Sequence, residues 1–272
     1  MEHFTLIFLA TFLFGHIQEQ ETAVAKHLKS FEINEQPSGM EGIDCIYVIN
    51  LDVRPQKWKR MQEIGRKHGL NFNRFSAVNG WGFSRELLKE LMVPPQLRLN
   101  GGQVGCIVSH LSVLKHANSK DFSIIWVMED DIEVLEDIGI FPHLIKQLTE
   151  IDPDWDVLYT DTDTKNKNGY VKFQKQTFRQ NAIYEPVSYY SRRIPLTDDL
   201  MEIGQRYGSY SMIISRKGIK KILNYFTHVL LWSPYDNDLH YIPGIRQYST
   251  RRDIVSVYVD LPSDTRRAPG AK

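Results

Sequence analysis

The chain has 272 residues, 42% of them hydrophobic and 24% charged, with 33 basic and 33 acidic side chains and a formal net charge of zero. That is the composition of an ordinary globular protein with one main domain. Acids and bases are interspersed, so no field draws the chain to nucleic acid, which is excluded as a partner.

The first segment, Phe4 to Gly15 (FTLIFLATFLFG), is apolar and too short to span a bilayer comfortably. It suits the core of a secretory signal, although Met1, Glu2 and His3 supply no lysine or arginine before it. A small-x-small site follows at Ala23-Val24-Ala25. The alternative is an amphipathic or buried first helix. The chain is exported or membrane-associated if the segment acts as a signal or anchor, and otherwise cytoplasmic at the membrane face. From His16 to Gly42 the sequence is polar and aperiodic and reads as leader or linker, which puts the start of the domain near Ile43. The expected organisation is 1–42 leader and linker, 43–262 folded domain and 263–272 tail.

Cys45 to Leu51 (CIYVINL) is an apolar run of strand length, and the stretch after it sets Trp58, Met61, Ile64 and Gly65 on one helical face. Phe72 to Val78 reads as a second strand, closed by the turn signal Asn79-Gly80. After the Gly101-Gly102 break, Val104, Ile107, Val108, Leu111 and Leu114 fall at helical spacing. A strand at Ser123 to Met128, a helix marked by Ile138, Phe141, Leu144, Ile145 and Leu148, and a strand at Trp155 to Thr160 follow. Tyr210 to Ser215 is strand-like, RKGIKKILNYF is amphipathic, and IVSVYV near the end is strand-like again. Such alternation predicts an α/β fold with a largely parallel sheet flanked by helices, whose ligands bind beyond the carboxyl ends of the strands. The two cysteines, Cys45 and Cys106, lie far apart without metal-ligand spacing and read as buried free thiols.

At the carboxyl end of the third of these strands stand Glu129, Asp130 and Asp131. Three adjacent carboxylates raise one another's pKa unless a cation compensates them. Oxygen ligands favour a hard divalent ion such as Mn²⁺ or Mg²⁺. Alternatively, two of them face solvent and one caps the next helix. Asp161 and Asp163 form a rival pair after the next strand, read as a turn or a substrate-facing element rather than the metal site.

Four blocks, YVINLDVRPQKWKRM, NRFSAVNGW, GGQVGCIVSHLSVL and IIWVMEDDIEV, with weaker matches at YGSYSMIISRKGIKKIL and PYDNDL, make the chain resemble the family 25 glycosyltransferases. These include lipooligosaccharide and collagen galactosyltransferases. The resemblance covers most of Asp44 to Asp238. It implies a GT-A type, Rossmann-like nucleotide-sugar transferase fold, a UDP-sugar donor, a Mn²⁺ (or Mg²⁺) ion, a glycan or glycolipid acceptor and inversion at the anomeric carbon. Matching the acidic triplet to the family's DxD-like motif implies Asp131 as the direct metal ligand, with Glu129 or Asp130 at the metal or the donor sugar. His240 is a further candidate ligand. Lys57 stands where the family usually has arginine, which loses bidentate geometry, and Asn79 where it often has aspartate.

Asp236 aligns with a late aspartate of the family and is the candidate base for the acceptor hydroxyl, its alternative being a helix N-cap. Ser109 or His110 would hold the donor loop, His110 being otherwise a core histidine. Asn50 and Asp52, at the end of the first strand, are expected near the nucleotide. Arg251, Arg252, Arg266 and Arg267 either close over a diphosphate or form a solvated face and tail. Two other classes remain: a carbohydrate-binding or degenerate transferase-fold protein without turnover, and a glycoside hydrolase.

Overall fold

The computed structural model describes residues 23–33, 36–93, 98–170, 185–261 and 263–265. The first elements are a short helix, α1 (Ala23–Lys26), strand β1 (Cys45–Asn50), helix α2 (Pro55–His68) and strand β2 (Phe72–Ser76). Pro55 opens α2, where a missing N–H costs nothing, and Gly69 closes it with φ 66° in the left-handed region. Helices α3 (Arg85–Leu91) and α4 (Gly101–Ser119) then lead to strands β3 (Ile124–Glu129) and β4 (Ile132–Val134). The break before α4 is a capping box: the Asn100 side chain accepts from Gln103 N–H, and the Gln103 side chain accepts from Asn100 N–H.

Helix α5 (Phe141–Ile151) and strand β5 (Val157–Tyr159) come next, followed by a small hairpin of β6 (Lys165–Asn166) and β7 (Gly169–Tyr170). Beyond it lie α6 (Val187–Ser191), β8 (Arg193–Pro195), β9 (Leu200–Ile203), β10 (Ser211–Ser215), α7 (Arg216–His228), α8 (Tyr235–Asp238), β11 (Gln247–Thr250) and β12 (Val255–Val257).

Eight strands form the central sheet in the order β2-β1-β3-β10-β5-β11-β9-β8. Six run in one direction, while β10 and β9 are reversed, so the sheet is α/β and mostly parallel in direction. Alternation along the strands divides the core. Tyr47, Val127 and Met212 pack with α1, α4 and α7 on one face. Ile46, Trp126 and Ile213 pack with α2 and α5 on the other. Each large apolar side chain buried this way contributes about 1.5–3 kcal/mol. Helix α4 is buried on almost every side, which sets it centrally against the sheet rather than on the surface.

Two expectations, on the linker and on the tail, are corrected. The polar stretch before Ile43 is not all linker: Val24 is fully buried, Leu28 joins the core, and Phe31 lies 4.6 Å from the Phe75 ring and 4.5 Å from that of His116. IVSVYV supplies a strand as expected, β12, which pairs with β4 in a separate two-stranded ribbon. The tail is not loose throughout, since Asp264 is ion-paired to Arg54 and Lys57. Phe4 to Gly15 lies outside the described residues, among which no helix is long and apolar enough to cross a membrane.

Candidate active site

The carboxyl ends of β1, β2 and β3 open onto one cleft, as the parallel arrangement requires. The loop after β2 is pressed against the start of α4 through glycines. A Cβ on Gly80 would meet Gly101 O at 1.9 Å, and one on Gly105 would meet Val78 O at 2.5 Å. Ser109 fixes this loop further, its hydroxyl accepting from Val78 N–H at 2.8 Å and donating to Gly105 O. Val78, Asn79 and Trp81 of the loop, Lys57 of α2, the acidic triplet and Asp264 line the resulting cavity. Asn79 caps the turn, its side chain accepting from Trp81 N–H.

All three acids of the triplet face this cavity, but a side chain already compensates part of their charge. The Lys57 ammonium lies 3.2 Å from Asp130, 3.7 Å from Asp131 and 3.1 Å from Asp264. Burial works against its charge, and Asp131, Asp130 and Asp264 outweigh that and hold it protonated. Burial raises Asp130 as well, against Lys57 and Asn50. Burial and then the Glu129 charge push Asp131 up to about 7. Glu129 is the reverse case: burial would raise it, yet hydrogen bonds from His110 and Ser209 hold it below the usual range.

Asp131 Oδ1 is buried with no hydrogen-bond partner among the described residues. A buried carboxylate oxygen left unsatisfied in an under-compensated acidic cluster suits a hard divalent ion, so the donor set fits Mn²⁺ or Mg²⁺.

A second cavity adjoins the first and shares Cys106, Glu129 and Asp131 with it. The reversal of β10 makes this possible: its amino-terminal approach brings Ser209 to Glu129, where the hydroxyl donates at 2.9 Å. Asp236 lines the same cavity. Pro234 is the N-cap of α8, so Asp236 is not a cap but stands in the first turn. Its carboxylate accepts from Gly208 N–H at 2.7 Å and Asn237 N–H at 3.0 Å. Burial nevertheless raises its pKa.

Several expected residues lie elsewhere. His240 is removed from the metal site: Nε2 sits 2.7 Å from Arg206 O and 3.1 Å from Arg206 N, and Nδ1 lies 2.8 Å from Gln247 Nε2. Burial drives its pKa down to about 3. Asn50 is buried and reaches the site only indirectly, donating to Asp130 Oδ2 at 2.6 Å. Asp52 is exposed, held by Arg74 and Ser76, and lines neither cavity. Asp161 stands in the bend after β5 and is not substrate-facing; it is fully buried against Arg206 and Tyr210. Arg251 and Arg252 pair at the surface, with Thr197 O and with Glu136 and Asp199 respectively. Arg266 and Arg267 lie outside the described residues. His110 is buried and contacts Glu129 at 3.2 Å. Trp81, Ser209 and Asp264 join the site although spacing alone does not single them out.

A sequence model described as glycosyltransferase family 25 (LPS biosynthesis protein) matches residues 43–238, well over half of the chain. The chain belongs to glycosyltransferase family 25. It is 26% identical over 238 residues to human procollagen galactosyltransferase 2, covering 78% of this chain and 33% of that protein. It is 23% identical over 211 residues to a glycosyltransferase 25 family member of Aedes aegypti, covering 72% and 30%. A human relative described as an inactive glycosyltransferase 25 family member 3 is 26% identical over 136 residues, 46% of this chain and 23% of that protein. The chain therefore spans about a third of the length of the first two. Among solved structures, a glycosyltransferase involved in the glycosylation of the major capsid of PBCV-1 aligns over 76% of this chain and 82% of its own, with 10% identity and a TM-score of 0.35.

Proposed function

We propose that the chain is a metal-dependent, inverting hexosyltransferase that moves a sugar, galactose in the first instance, from a UDP-sugar to a hydroxyl of a glycan or glycolipid such as lipooligosaccharide. The single observation that carries the reading is the buried, unsatisfied Oδ1 of Asp131 at the meeting of two cavities. Family membership and the galactosyltransferase names of relatives support the choice of reaction and sugar.

In this reading Asp131 and Glu129 would hold the ion, and Asn50 and Lys57 fix Asp130 beside that position. A bound Mn²⁺ would supply positive charge where the departing diphosphate develops its negative charge. Val78, Asn79 and Trp81 offer the donor's nucleotide a wall, and Lys57 meets its phosphates. Asp236, on the other cavity, takes the proton of the acceptor hydroxyl; its raised pKa makes it a stronger base than an ordinary carboxylate.

The test is UDP release from a panel of UDP-hexoses, with and without Mn²⁺ and with candidate glycans. Metal-dependent release is expected. Asp131→Asn should reduce it at least about a hundredfold with an unchanged circular-dichroism spectrum, because a transition-state charge partner is lost. Full activity of that variant overturns the assignment. A second reading, sugar binding without turnover, draws on Lys57 and Asp264 standing among the acids and on the relative described as inactive. Binding of the UDP-sugar without release under any metal would select it, and cleavage of glycan without nucleotide would select hydrolysis instead.

A further inference from the structure

We propose that Cys106, His110 and Glu129 form a second metal site, for a soft ion of the Zn²⁺ type, which would share Glu129 with the hard-ion position at Asp131 and is tested without a sugar donor. The sequence hides it because its ligands come from two elements. Cys106 and His110 stand one turn apart on α4, which places them on the same face, and Glu129 arrives from the end of β3.

One ligand atom from each residue lies within 4.8 Å of the other two. A tetrahedral Zn²⁺ with bonds of about 2.0–2.3 Å needs its ligand atoms about 3.3–3.7 Å apart. The His110 Nε2 to Glu129 Oε1 separation of 3.2 Å is just short of that edge. Cys106 Sγ lies within 4.8 Å of both other ligand atoms, and binding of the ion would draw it in to that edge.

The ligands are held from behind. The His110 ring stacks on Tyr235 with centroids 4.6 Å apart, and Ser209 donates to Glu129. Such support is what fixes a metal ligand's orientation. Cys106 and Glu129 line both cavities, so an ion has a path in and a fourth position open to water. A thiolate and an imidazole in the set select Zn²⁺ over Mn²⁺ and Mg²⁺. On binding, the sulfur–metal bond replaces the Cys106 S–H bond, whose proton goes to solvent. His110 gives up the Nε2 proton it turns toward Glu129 and takes one from solvent on Nδ1, which leaves the Nε2 lone pair for the metal. The net release is the Cys106 proton, and no electron changes hands.

The test is titration of the full chain with Co²⁺, a spectroscopic stand-in for Zn²⁺. The expected result is uptake of one equivalent with a thiolate-to-cobalt charge-transfer band and tetrahedral d–d bands, both lost when Zn²⁺ is added. Cys106→Ser should remove the charge-transfer band and weaken Zn²⁺ binding at least about tenfold, with unchanged circular dichroism. His110→Gln should weaken it similarly, and Cys45→Ser should keep the band. The proposal is overturned if Co²⁺ binds the unaltered chain without a charge-transfer band, if Cys45→Ser rather than Cys106→Ser removes it, or if His110→Gln binds Zn²⁺ as the unaltered chain does. These readouts need no sugar donor, so their failure is separate from failure of the transferase reading.

Discussion

Lys57 is where the charge balance of the site is set. It stands among Asp130, Asp131 and Asp264, and replacing one partner of such a buried group leaves the rest uncompensated. Lys57→Met is expected to lower stability by about 2–4 kcal/mol, and Mn²⁺ should raise the thermal midpoint of the variant more than that of the unaltered chain. An equal shift in both would mean that Lys57 and the ion do not share the acids. Asn50 acts through Asp130, so Asn50→Ala should weaken Mn²⁺ binding while leaving binding of free UDP unchanged, measured calorimetrically.

His240 gives a pH signature. Its pKa is depressed in the fold, to about 3, so between that value and the ordinary value near 6.5 the unfolded chain binds a proton that the folded chain does not. The stability His240 provides is present above about pH 6.5 and is lost as pH falls, by about 1.4 kcal/mol per unit. His240→Gln should flatten that part of the stability curve measured by denaturant at a series of pH values. An unchanged slope would assign the acid sensitivity to other groups.

At the level of elements, the contact between the β2 loop and α4 depends on glycine for want of space. Gly105→Ala would set a methyl 2.5 Å from Val78 O and 2.6 Å from Gly80 N, both backbone atoms. We expect a loss of about 1–3 kcal/mol and weaker nucleotide binding, seen by thermal denaturation and UDP titration. β1, β3, β10 and α7 are legible in the sequence because their apolar residues alternate or repeat at helical spacing. β8, β9 and β11 are not. Gln247–Thr250 is polar and yet wholly buried, sustained by hydrogen bonds such as Tyr159 hydroxyl to Gln247, which no apolar pattern announces. The direction of β10 is equally silent in the letters, and it is that direction which carries Ser209 to Glu129. The acidic triplet was readable because strand ends face the cleft. The Lys57 contacts and the diversion of His240 were not, since both come from pairings far apart in the chain.

For the molecule as a whole, the two ends of the described chain close on the core. Asp264 ties residues 263–265 across the first cavity, with Trp81 Nε1 donating to its carbonyl at 3.0 Å. It occupies Lys57 and Arg54, groups of the kind that a diphosphate attracts. Asp264→Ala is therefore expected to tighten UDP binding, by up to about fivefold for a partly exposed pair. Weaker binding would make the strap part of the nucleotide site instead. At the other end, Lys29 N–H donates to Ser112 at 2.8 Å, Phe31 covers Tyr47 and Phe75, and Val24 is buried in the same core. An expression boundary drawn at residue 43, where the family match begins, would peel that cover away. The shortened product should take up a hydrophobic dye and aggregate at concentrations where one beginning at residue 22 stays dispersed.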